Sequence, residues 1–463
     1  MFKKIEIWIL YLVIVLAIIF GIFFGVLVRQ ELVGSVKLGS VSRAALFLSE
    51  IPMNLKKIFQ LTKDPGVESS VGSRFEKKYG FIGNYNDDYF LLLSRFDGDS
   101  SESLVELVDL GNFKIIHQWN PNINEINENI DVNRQEYKLL KRDFHENRYK
   151  IDSPILSEDG GLIFHPNGSA LIKIDHCNNL LWINDSDHFH HMSEEDLEGN
   201  YWIPSRIFPY SLSEEMVGEE YGDFFDDAIT KVSQEGKTIY QKSVSKILLD
   251  NDMHHLIFSN QIFDGDPIHL NDIQPAVFSS QYWEKGDLFL SLRTQNMIIQ
   301  YRPSKNLIID IITGPFANQH DVDIISSEEI SIFNNNVYFY KGKRIDGGNL
   351  HFNGKPKTGI SEVLIYNFRT KTFKKKFNDQ FKQYDIRTSV QGLSEILNDG
   401  SLFIEETQAG RLLFFNKNGE LLWEYVNKAE NGKNYGLGFS RILYKSPKID
   451  NVIKKIKSHK CKS

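Results

Sequence analysis

A histidine and two acidic residues stand just ahead of an alternating apolar strand in the second half of the chain. His320, Asp321 and Asp323 lie within the segment 319–325, which runs into the apolar segment 330–336. One interpretation is a structural histidine whose ring bonds Asp321 or a backbone carbonyl. The other is a site residue, and the surrounding sequence favours it.

A second polar cluster of the same kind lies upstream. Residues 266–275 carry His269, and Arg293 stands on the predicted strand 290–294 between the two clusters. Histidines at loop-to-strand junctions, with an arginine at the same level, can form a pocket for a tetrahedral anion, because a guanidinium offers a planar fork of donors. This constellation predicts a group-transfer enzyme.

Further histidines occupy residues 188–191, ahead of the acidic residues 194–196. Three scattered histidines can bind zinc, but Arg293 beside them would repel a cation, and the chain has no CxxC or HExxH motif. We therefore expect neither a metal nor a cofactor. The acids Asp272, Asp321 and Asp323 are expected to form turns or brace strands, and Asn271 to orient His269.

The elements that must position these residues repeat one pattern from Tyr79 onward. A short strand follows a turn rich in Gly, Asp or Asn, a second strand follows, and a third often ends in Trp. We count six such units, centred on residues 89–119, 155–182, 201–240, 288–312, 330–377 and 402–425. Repeated antiparallel units of this kind predict an all-β, six-bladed β-propeller over residues 79–445. A β-sandwich would have fewer strands, and a β-solenoid a shorter and more regular period.

The N-terminus predicts a membrane segment. Ile7 to Val28 contains no charged residue, and at about 1.5 Å per residue it reaches across a bilayer core of about 30 Å. Without a small-residue cleavage site, residues 1–30 predict an uncleaved transmembrane signal anchor, and a cleaved long signal peptide is the alternative. Lys3 and Lys4 favour a cytoplasmic N-terminus, so we expect an inner-membrane protein with its propeller in the periplasm.

The remaining segments flank the propeller. Residues 31–78 are expected to form an amphipathic stalk, with a helix from Ala44 to Leu61 that Pro52 interrupts. Residues 446–463 form a basic tail that we expect to be solvated and mobile. Because the tail is expected to be mobile, Cys461 within it and Cys177 are expected to stay unpaired.

Composition narrows the classes of partner. The chain has 53 Lys and Arg against 61 Asp and Glu, a net charge of −8. A nucleic-acid-binding protein would need a strongly basic domain or stripe, so no nucleic-acid partner is expected. Aromatic residues make up 13% of the 463 residues, which favours strands over helices.

Several of these motifs, taken in order, resemble a known family. The blocks 269–273 (His-Leu-Asn-Asp-Ile), 291–293 (Ser-Leu-Arg) and 319–321 (Gln-His-Asp), in this order, and the ending 419–425 of the last unit are similar to the bacterial arylsulfate sulfotransferase family. The resemblance covers roughly residues 85–427. It implies a six-bladed propeller that moves a sulfuryl group between phenols through a sulfated histidine, without a nucleotide donor.

The resemblance also implies roles for individual residues. Matched by motif, His320 is the nucleophile, with Arg293 and His269 as its electrostatic partners. One of His190 and His191 matches a further active-site histidine, and we select His191. The substrates implied are a sulfate ester and a phenolic acceptor. Two alternatives remain: a non-catalytic propeller that serves as a binding platform in the cell envelope, and a propeller hydrolase or lyase that acts on a sulfated or carboxylated glycan.

Overall fold

The computed structural model describes residues 6–32, 39–59, 75, 78–131, 149–166, 168–217, 224–258, 265–340, 355–458 and 461. The chain divides into two compact units, Met1–Pro65 and Gly66–Ser463. Residues 33–38, 60–74 and 76–77 of the expected stalk lie outside the described residues.

The N-terminal unit contains two helices, α1 (Ile7–Leu32) and α2 (Gly39–Phe59). Over Ile7–Gln30, α1 is long and apolar enough to cross a membrane, and an anchor and a signal sequence both fit that description. The expected interruption of the second helix is wrong, because α2 runs through Pro52 without a break.

The second unit consists mainly of short antiparallel strands. In the first half of the unit the strands are β1 (Gly80–Gly83), β2 (Tyr89–Asp97), β3 (Glu102–Asp109), β4 (Lys114–Trp119), β5 (Asp152–Leu156), β6 (Leu162–His165), β7 (Ser169–Ile174), β8 (Leu180–Phe189), β9 (Glu194–Glu195), β10 (Tyr201–Arg206), β11 (Asp227–Val232) and β12 (Thr238–Ser243). In the second half they are β13 (Leu270–Pro275), β14 (Leu288–Leu292), β15 (Met297–Arg302), β16 (Leu307–Thr313), β17 (Val322–Ile324), β18 (Glu329–Asn334), β19 (Val337–Tyr340), β20 (Lys355–Thr358), β21 (Glu362–Asn367), β22 (Thr372–Lys376), β23 (Leu393–Ile396), β24 (Leu402–Glu406), β25 (Arg411–Phe415), β26 (Leu421–Val426) and β27 (Arg441–Tyr444). Short helices lie between them: α3 (Ile123–Asn127), α4 (Glu214–Val217), α5 (Val244–Asp250), α6 (His255–Phe258), α7 (Asn378–Gln383) and, after the last strand, α8 (Pro447–Ser458).

Strand pairing groups these strands into blade-like sheets. Four sheets have four or five strands, in the orders β27-β2-β3-β4, β13-β14-β15-β16, β17-β18-β21-β22 and β1-β26-β25-β24-β23. Strands β5 to β12 form a single eight-stranded sheet, and β19 pairs with β20 as a hairpin. The all-β, propeller-like arrangement is thus confirmed, whereas the number of six blades stays a prediction.

Alternating side chains explain why the sheets stack. Successive residues of a strand point to opposite faces. On β2, Phe90 and Leu92 pack toward β6 and β7, whereas Leu91 and Leu93 pack toward β24 and β25. Each sheet therefore buries both faces. The apolar clusters between them follow a closed order. Strands β2–β4 pack on β6–β7, β6–β7 on β10–β11, β10–β11 on β13–β15, β14–β15 on β18 and β21, β18 and β21 on β24–β25, and β24–β25 on β2–β3.

The two ends of the second unit interlock. The C-terminal strand β27 pairs with β2, with Tyr444 opposite Tyr89. Strand β1 in turn pairs with β26, with Gly80 opposite Val426. Chain ends that complete each other's sheets close the ring of strands.

The C-terminal segment differs from the expectation of a solvated, mobile tail. Val452, Ile453 and Ile456 of α8 are buried in the apolar cluster that includes β2, β3, β6 and β7. Packing of this face brings Cys461 to the turn that holds Cys177, and the two form a disulfide with Cα atoms 5.4 Å apart. The expectation that these cysteines stay unpaired is therefore wrong, because it rested on the mobility of the tail.

Buried carboxylates brace successive sheets. Each accepts a backbone N–H from the first strand of the next sheet: Asp227 from Leu270 (2.7 Å), Asp272 from Val322 (3.1 Å) and Asp321 from Ser394 (2.9 Å). The expected bracing role is confirmed for Asp272 and Asp321. These bonds fix the inner strands, and hence the residues that precede them.

Candidate active site

The predicted site residues lie at the beginnings of inner strands. His191 lies just ahead of β9, His269 directly ahead of β13, and His320 just ahead of β17. Arg293 lies one residue beyond the end of β14, in the turn after the strand rather than on it. Its backbone N–H donates to the carbonyl of His269 at 3.0 Å, because β13 and β14 are antiparallel neighbours.

The fold brings the three imidazoles together. The ring centroid of His191 is 5.3 Å from that of His269 and 5.9 Å from that of His320. His320 is 3% exposed and His191 is 8% exposed. His190 lies behind His191, and its side chain faces Asp227. Residues separated by up to 129 positions in the sequence (320 − 191) therefore share one largely buried space.

Two of these histidines have an unusual backbone. His191 has φ +60° and His269 has φ +49°, both in the left-handed region. Non-glycine residues lose about 1–2 kcal/mol in this region. The fold thus holds both imidazoles in a conformation that their own backbone does not prefer.

The hydrogen bonds of Asn335 determine the tautomer of His320. The Nδ2 of Asn335 donates to the hydroxyl of Thr388 at 2.6 Å and to the carbonyl of Gln391 at 3.0 Å. A carbonyl only accepts, so the amide nitrogen must face it, and Oδ1 then faces the Nδ1 of His320 at 2.6 Å. That bond needs a proton on Nδ1. The Nε2 of His320 is therefore left with its lone pair.

The protonation of His320 follows from its surroundings. Burial lowers its pKa to about 3, and the nearby charges of Arg293 and His269 act in the same direction. His320 is thus neutral throughout the physiological range. A neutral imidazole whose Nε2 carries a lone pair is a nucleophile.

His269 is oriented by a carboxylate. Its Nδ1 is hydrogen-bonded to Oδ2 of Asp266, three residues earlier in the same loop. An acid that binds one ring nitrogen fixes the ring and leaves the other nitrogen for a ligand. Asp266 belongs to the motif seen in the sequence, but its role was not predicted.

Arg293 supplies a half-buried positive charge. Burial lowers its pKa from the ordinary value, and the charge of Asp266 acts in the opposite direction. Its Nε is buried and has no hydrogen-bond partner among the residues that the structure describes. A half-buried guanidinium with an unused donor is suited to bind an anion.

The amide of Asn271 has a different role from the one expected. Its Nδ2 donates to the carbonyl of Gln319 at 2.8 Å rather than to His269. Gln319 in turn donates to the carbonyls of Leu292 and Met297, at 3.0 Å each. These bonds tie the segment ahead of His320 to β14 and β15, so they position His320 relative to Arg293.

Several residues around the site could not be found from the sequence. Asp227, Arg206 and His165 are distant in sequence from the motifs and have no local signature. Asn335 stands at the end of the segment 330–336, and that position was its only signal. His190 was the alternative to His191 in the sequence, but its place behind His191 was not predicted.

A cavity of about 430 Å³ lies beside the inner strands β9, β17 and β23. Its acidic lining residues are Glu194, Glu195, Asp321, Asp323 and Glu395. Burial raises the pKa of Asp321 to about 7 and that of Glu395 to about 8. Arg441 is paired with Glu194 at 3.2 Å.

In the described part of the chain, one group of His, Cys and acidic side chains is close enough to share a metal ion: His176, Cys177 and Cys461. Both cysteines are joined in the disulfide, so their sulfurs are not thiolate ligands.

A match to a known protein family supports the resemblance seen in the motifs. A family model described as arylsulfotransferase (ASST) matches residues 153–428, more than half of the 463-residue chain. The chain belongs to the arylsulfotransferase family. All four predicted site residues lie inside the matched region. No curated protein matches the chain.

Several solved structures are similar at low identity. They include a protein of unknown function from Bacteroides caccae (9% identity, 78% of this chain and 100% of that chain, TM-score 0.46). Streptogramin B lyase matches at 11% identity (79% of this chain and 98% of that chain, TM-score 0.37). Virginiamycin B lyase from Staphylococcus aureus matches at 11% identity (75% and 87%, TM-score 0.33). With TM-scores below 0.5, these likenesses are too distant to bear on the site.

Proposed function

We propose that this arylsulfotransferase moves a sulfuryl group from an aryl sulfate, or a related sulfate ester, to a phenolic acceptor through a sulfated His320. His269, Arg293 and His191 would assist. The observation that carries the proposal is the hydrogen bond from the Nδ1 of His320 to Asn335. It leaves a neutral Nε2 as nucleophile in a buried space shared with two other imidazoles.

In the first step the ester gives its sulfuryl group to the enzyme. The Nε2 of His320 forms a bond to sulfur as the bond from sulfur to the aryl oxygen breaks. The phenolate that leaves takes a proton from His191 or His269. The ring of His320 becomes cationic, and its Nδ1–H remains on the Oδ1 of Asn335.

In the second step a new phenol receives the sulfuryl group. Its oxygen attacks sulfur, the bond from nitrogen to sulfur breaks, and the phenolic proton returns to the imidazole that acted as acid. His320 is neutral again. Sulfuryl transfer resembles phosphoryl transfer, in which positioning and charge stabilisation supply most of the catalysis. Arg293 meets this need by donating to the sulfate oxygens.

The architecture and location are part of the proposal. The eight-stranded sheet would hold two blades, β5–β8 and β9–β12, which are joined where β8 continues to pair with β10. Together with the four separate sheets this makes six blades.

Helix α1 would anchor the protein in the inner membrane, with the propeller in the periplasm, since Lys3 and Lys4 precede it. Protease digestion of spheroplasts that removes the propeller would support this orientation, and digestion only after lysis would contradict it.

A transfer assay tests the reaction. The full chain in detergent is mixed with 4-nitrophenyl sulfate and a phenol, and release of nitrophenolate is followed together with sulfation of the phenol. Brief exposure to the donor alone should add the mass of one SO₃ group to the peptide that contains His320. His320→Ala should abolish both results.

The matched control is His255→Ala, which removes an exposed histidine of α6. This variant should react like the wild type. Turnover that survives His320→Ala, or a sulfated peptide that lacks residue 320, would contradict the proposal. Binding of sulfate esters without turnover would instead favour a non-catalytic platform.

A further inference from the structure

A second histidine lies behind the site, and the proposed reaction leaves it without a role. His190 is fully buried, and its Nδ1 is 2.7 Å from the Nδ1 of His191. On its other side, the Nε2 of His190 is 3.3 Å from Oδ1 of Asp227. A carboxylate and two imidazoles therefore lie in a row that leads toward His269 and His320.

Asp227 is held in place as an anion. Its Oδ2 accepts the backbone N–H of Leu270 at 2.7 Å, and Nε of Arg206 is 3.4 Å from its Oδ1. Burial acts to raise the pKa of Asp227, but the charges and hydrogen bonds of His190 and Arg206 outweigh it and lower the pKa to about 2. A buried carboxylate that stays ionised favours a proton on the ring nitrogen that faces it.

The short contact between the two rings restricts their protons. Two lone pairs or two N–H groups would repel at 2.7 Å, so one proton must lie between the Nδ1 atoms. In a neutral pair, His190 carries its proton on Nε2, which faces Asp227, so its Nδ1 has a lone pair. The shared proton is then bound to the Nδ1 of His191. The Nε2 of His191 then carries a lone pair and is a base.

Adding one proton changes this arrangement. When the Nε2 of His191 takes a proton, the shared proton can move to the Nδ1 of His190. His190 is then an imidazolium beside Asp227, and His191 is neutral with an Nε2–H, which makes it an acid. The positive charge is on the ring next to the carboxylate.

Without such a transfer His191 would be a poor proton carrier. Burial lowers its pKa well below the ordinary value, and the charges of His190, His269 and His320 add to the effect. Burial also lowers the pKa of His190, but Asp227 opposes that change. The titratable and charged groups that face the pair are His165, Arg206, Asp227, His269 and His320.

We propose that Asp227 and His190 form a proton relay with which His191 serves as acid in the first step of sulfuryl transfer and as base in the second. In this relay His190 and Asp227 are positioning residues, because they act through His191. The inference rests on the proposed function. The protons balance over the cycle: the protonated pair gives one proton to the leaving phenolate and regains one from the incoming phenol.

Leaving groups of different basicity test the relay. Nitrophenolate leaves without a proton, whereas unsubstituted phenolate needs one, so general-acid catalysis matters mainly for phenyl sulfate. In Asp227→Asn and His190→Gln, we expect sulfation of His320 by phenyl sulfate to fall about 10²- to 10⁴-fold. Sulfation by 4-nitrophenyl sulfate should fall less than about tenfold.

A pH profile gives a second readout. Removing a nearby negative charge from an imidazolium lowers its pKa by about 1–3 units. In Asp227→Asn, the basic limb of the rate of sulfation by phenyl sulfate should therefore move down by about 1–3 pH units. A residue that only braced strands would change the rate without moving the limb.

The matched control is Asp272→Asn, because Asp272 also accepts a backbone N–H from the next sheet, and its hydrogen bonds within the described residues are to the backbone of Val322 and Ile273 rather than to a histidine ring. Any loss in this variant should be equal for both esters. Equal losses for the two esters in Asp227→Asn and His190→Gln would overturn the relay.

A measurement on the resting protein separates the relay from the reaction. In the full chain labelled with ¹⁵N-histidine, and assigned with His190→Gln, the resonances should show His191 as the Nδ1–H tautomer. Asp227→Asn should change this population. If no ester is turned over, the proposed function is wrong. The tautomer of His191 measured in the resting protein still tests the proposed proton arrangement. An Nε2–H tautomer of His191 in the neutral wild type would overturn the relay even if transfer is observed.

Discussion

The hydrogen bond between His320 and Asn335 can be removed with a small change in volume. In Asn335→Leu the Oδ1 that accepts from the Nδ1 of His320 at 2.6 Å is lost, together with the bonds to Thr388 and Gln391. Without this acceptor, the proton of the neutral His320 ring no longer favours Nδ1 over Nε2. Both tautomers become populated, and only one of them can attack.

The magnitude follows from how the bond changes during the reaction. A hydrogen bond between neutral groups contributes about 0.5–1.5 kcal/mol, and one to a charged group about 1.5–3 kcal/mol. As sulfur binds, the ring of His320 gains positive charge, so this bond strengthens by about 1–2 kcal/mol in the transition state. That difference alone is about 5- to 30-fold in rate. With the loss of the correct tautomer, we expect sulfation of His320 to slow about 10- to 100-fold.

The assay is single-turnover sulfation with 4-nitrophenyl sulfate, followed by rapid quench and mass analysis. Asn334→Leu is the control, because Asn334 accepts the backbone N–H groups of Ala317 and Asn336 and does not contact the histidine. Asn335→Asp restores an acceptor and should return sulfation to within about tenfold of the wild type. If Asn335→Leu reacts as fast as the wild type, or no slower than Asn334→Leu, the reasoning about the tautomer is wrong.

Three further predictions concern charge and stability. Arg293→Lys should lower the kcat/KM of sulfation about 10- to 100-fold, measured with saturating acceptor, because a lysine lacks the planar fork of donors. Burial raises the pKa of Asp321 to about 7 and that of Glu395 to about 8, so the folded protein keeps protons that the unfolded chain releases near pH 4. The free energy of unfolding should therefore fall as the pH rises from 4 to 8. Asp321→Asn combined with Glu395→Gln should flatten this dependence and stabilise the protein by about 2–4 kcal/mol at pH 8 in urea titrations. Cys177→Ser with Cys461→Ser should lower the free energy of unfolding by about 2–4 kcal/mol, and dithiothreitol should then have no further effect.

The strands could be predicted from the sequence because their side chains alternate. Phe289 of β14 packs on one neighbouring sheet, and Leu288 and Leu290 pack on the other, so the apolar run already indicates burial on both faces. The turns between them were equally visible. The number of blades was harder, since strand β8 is long enough to pair in two places.

The C-terminal helix was missed because its lysines outweighed its apolar residues. Ile449, Val452, Ile453 and Ile456 recur at helical spacing, which predicts one buried face. The remaining positions of the segment are largely charged. A basic, amphipathic segment is therefore compatible with a docked helix as well as with a mobile tail, and only the apolar surface left open on β2 and β6 decides between them.

The candidate site was only partly predictable for a related reason. The motif residues 269, 293 and 320 could be selected because each lies beside a recognisable strand end. Their partners could not, since Asp227 at the start of β11 reaches His190 beyond the end of β8, and Asn335 is fixed by Thr388 and Gln391, more than fifty residues later. Contacts between sheets depend on the order of packing, which no local pattern records.

The acidic cavity raises the question of how an anion could bind close to so many carboxyl groups. Asp321 directly follows His320, and Asp272 lies three residues after His269. If these acids were all ionised, their charges would offset that of Arg293. Burial raises the pKa values of Asp272 and Asp323 well above the ordinary value, and the charge of Asp321 acts in the same direction on both, so the charged forms of these groups are disfavoured. Asp227 differs, because its pKa is lowered to about 2, and His190 lies between it and the other histidines. The same burial that makes His320 neutral therefore also opposes the negative charges that would keep a sulfate ester out.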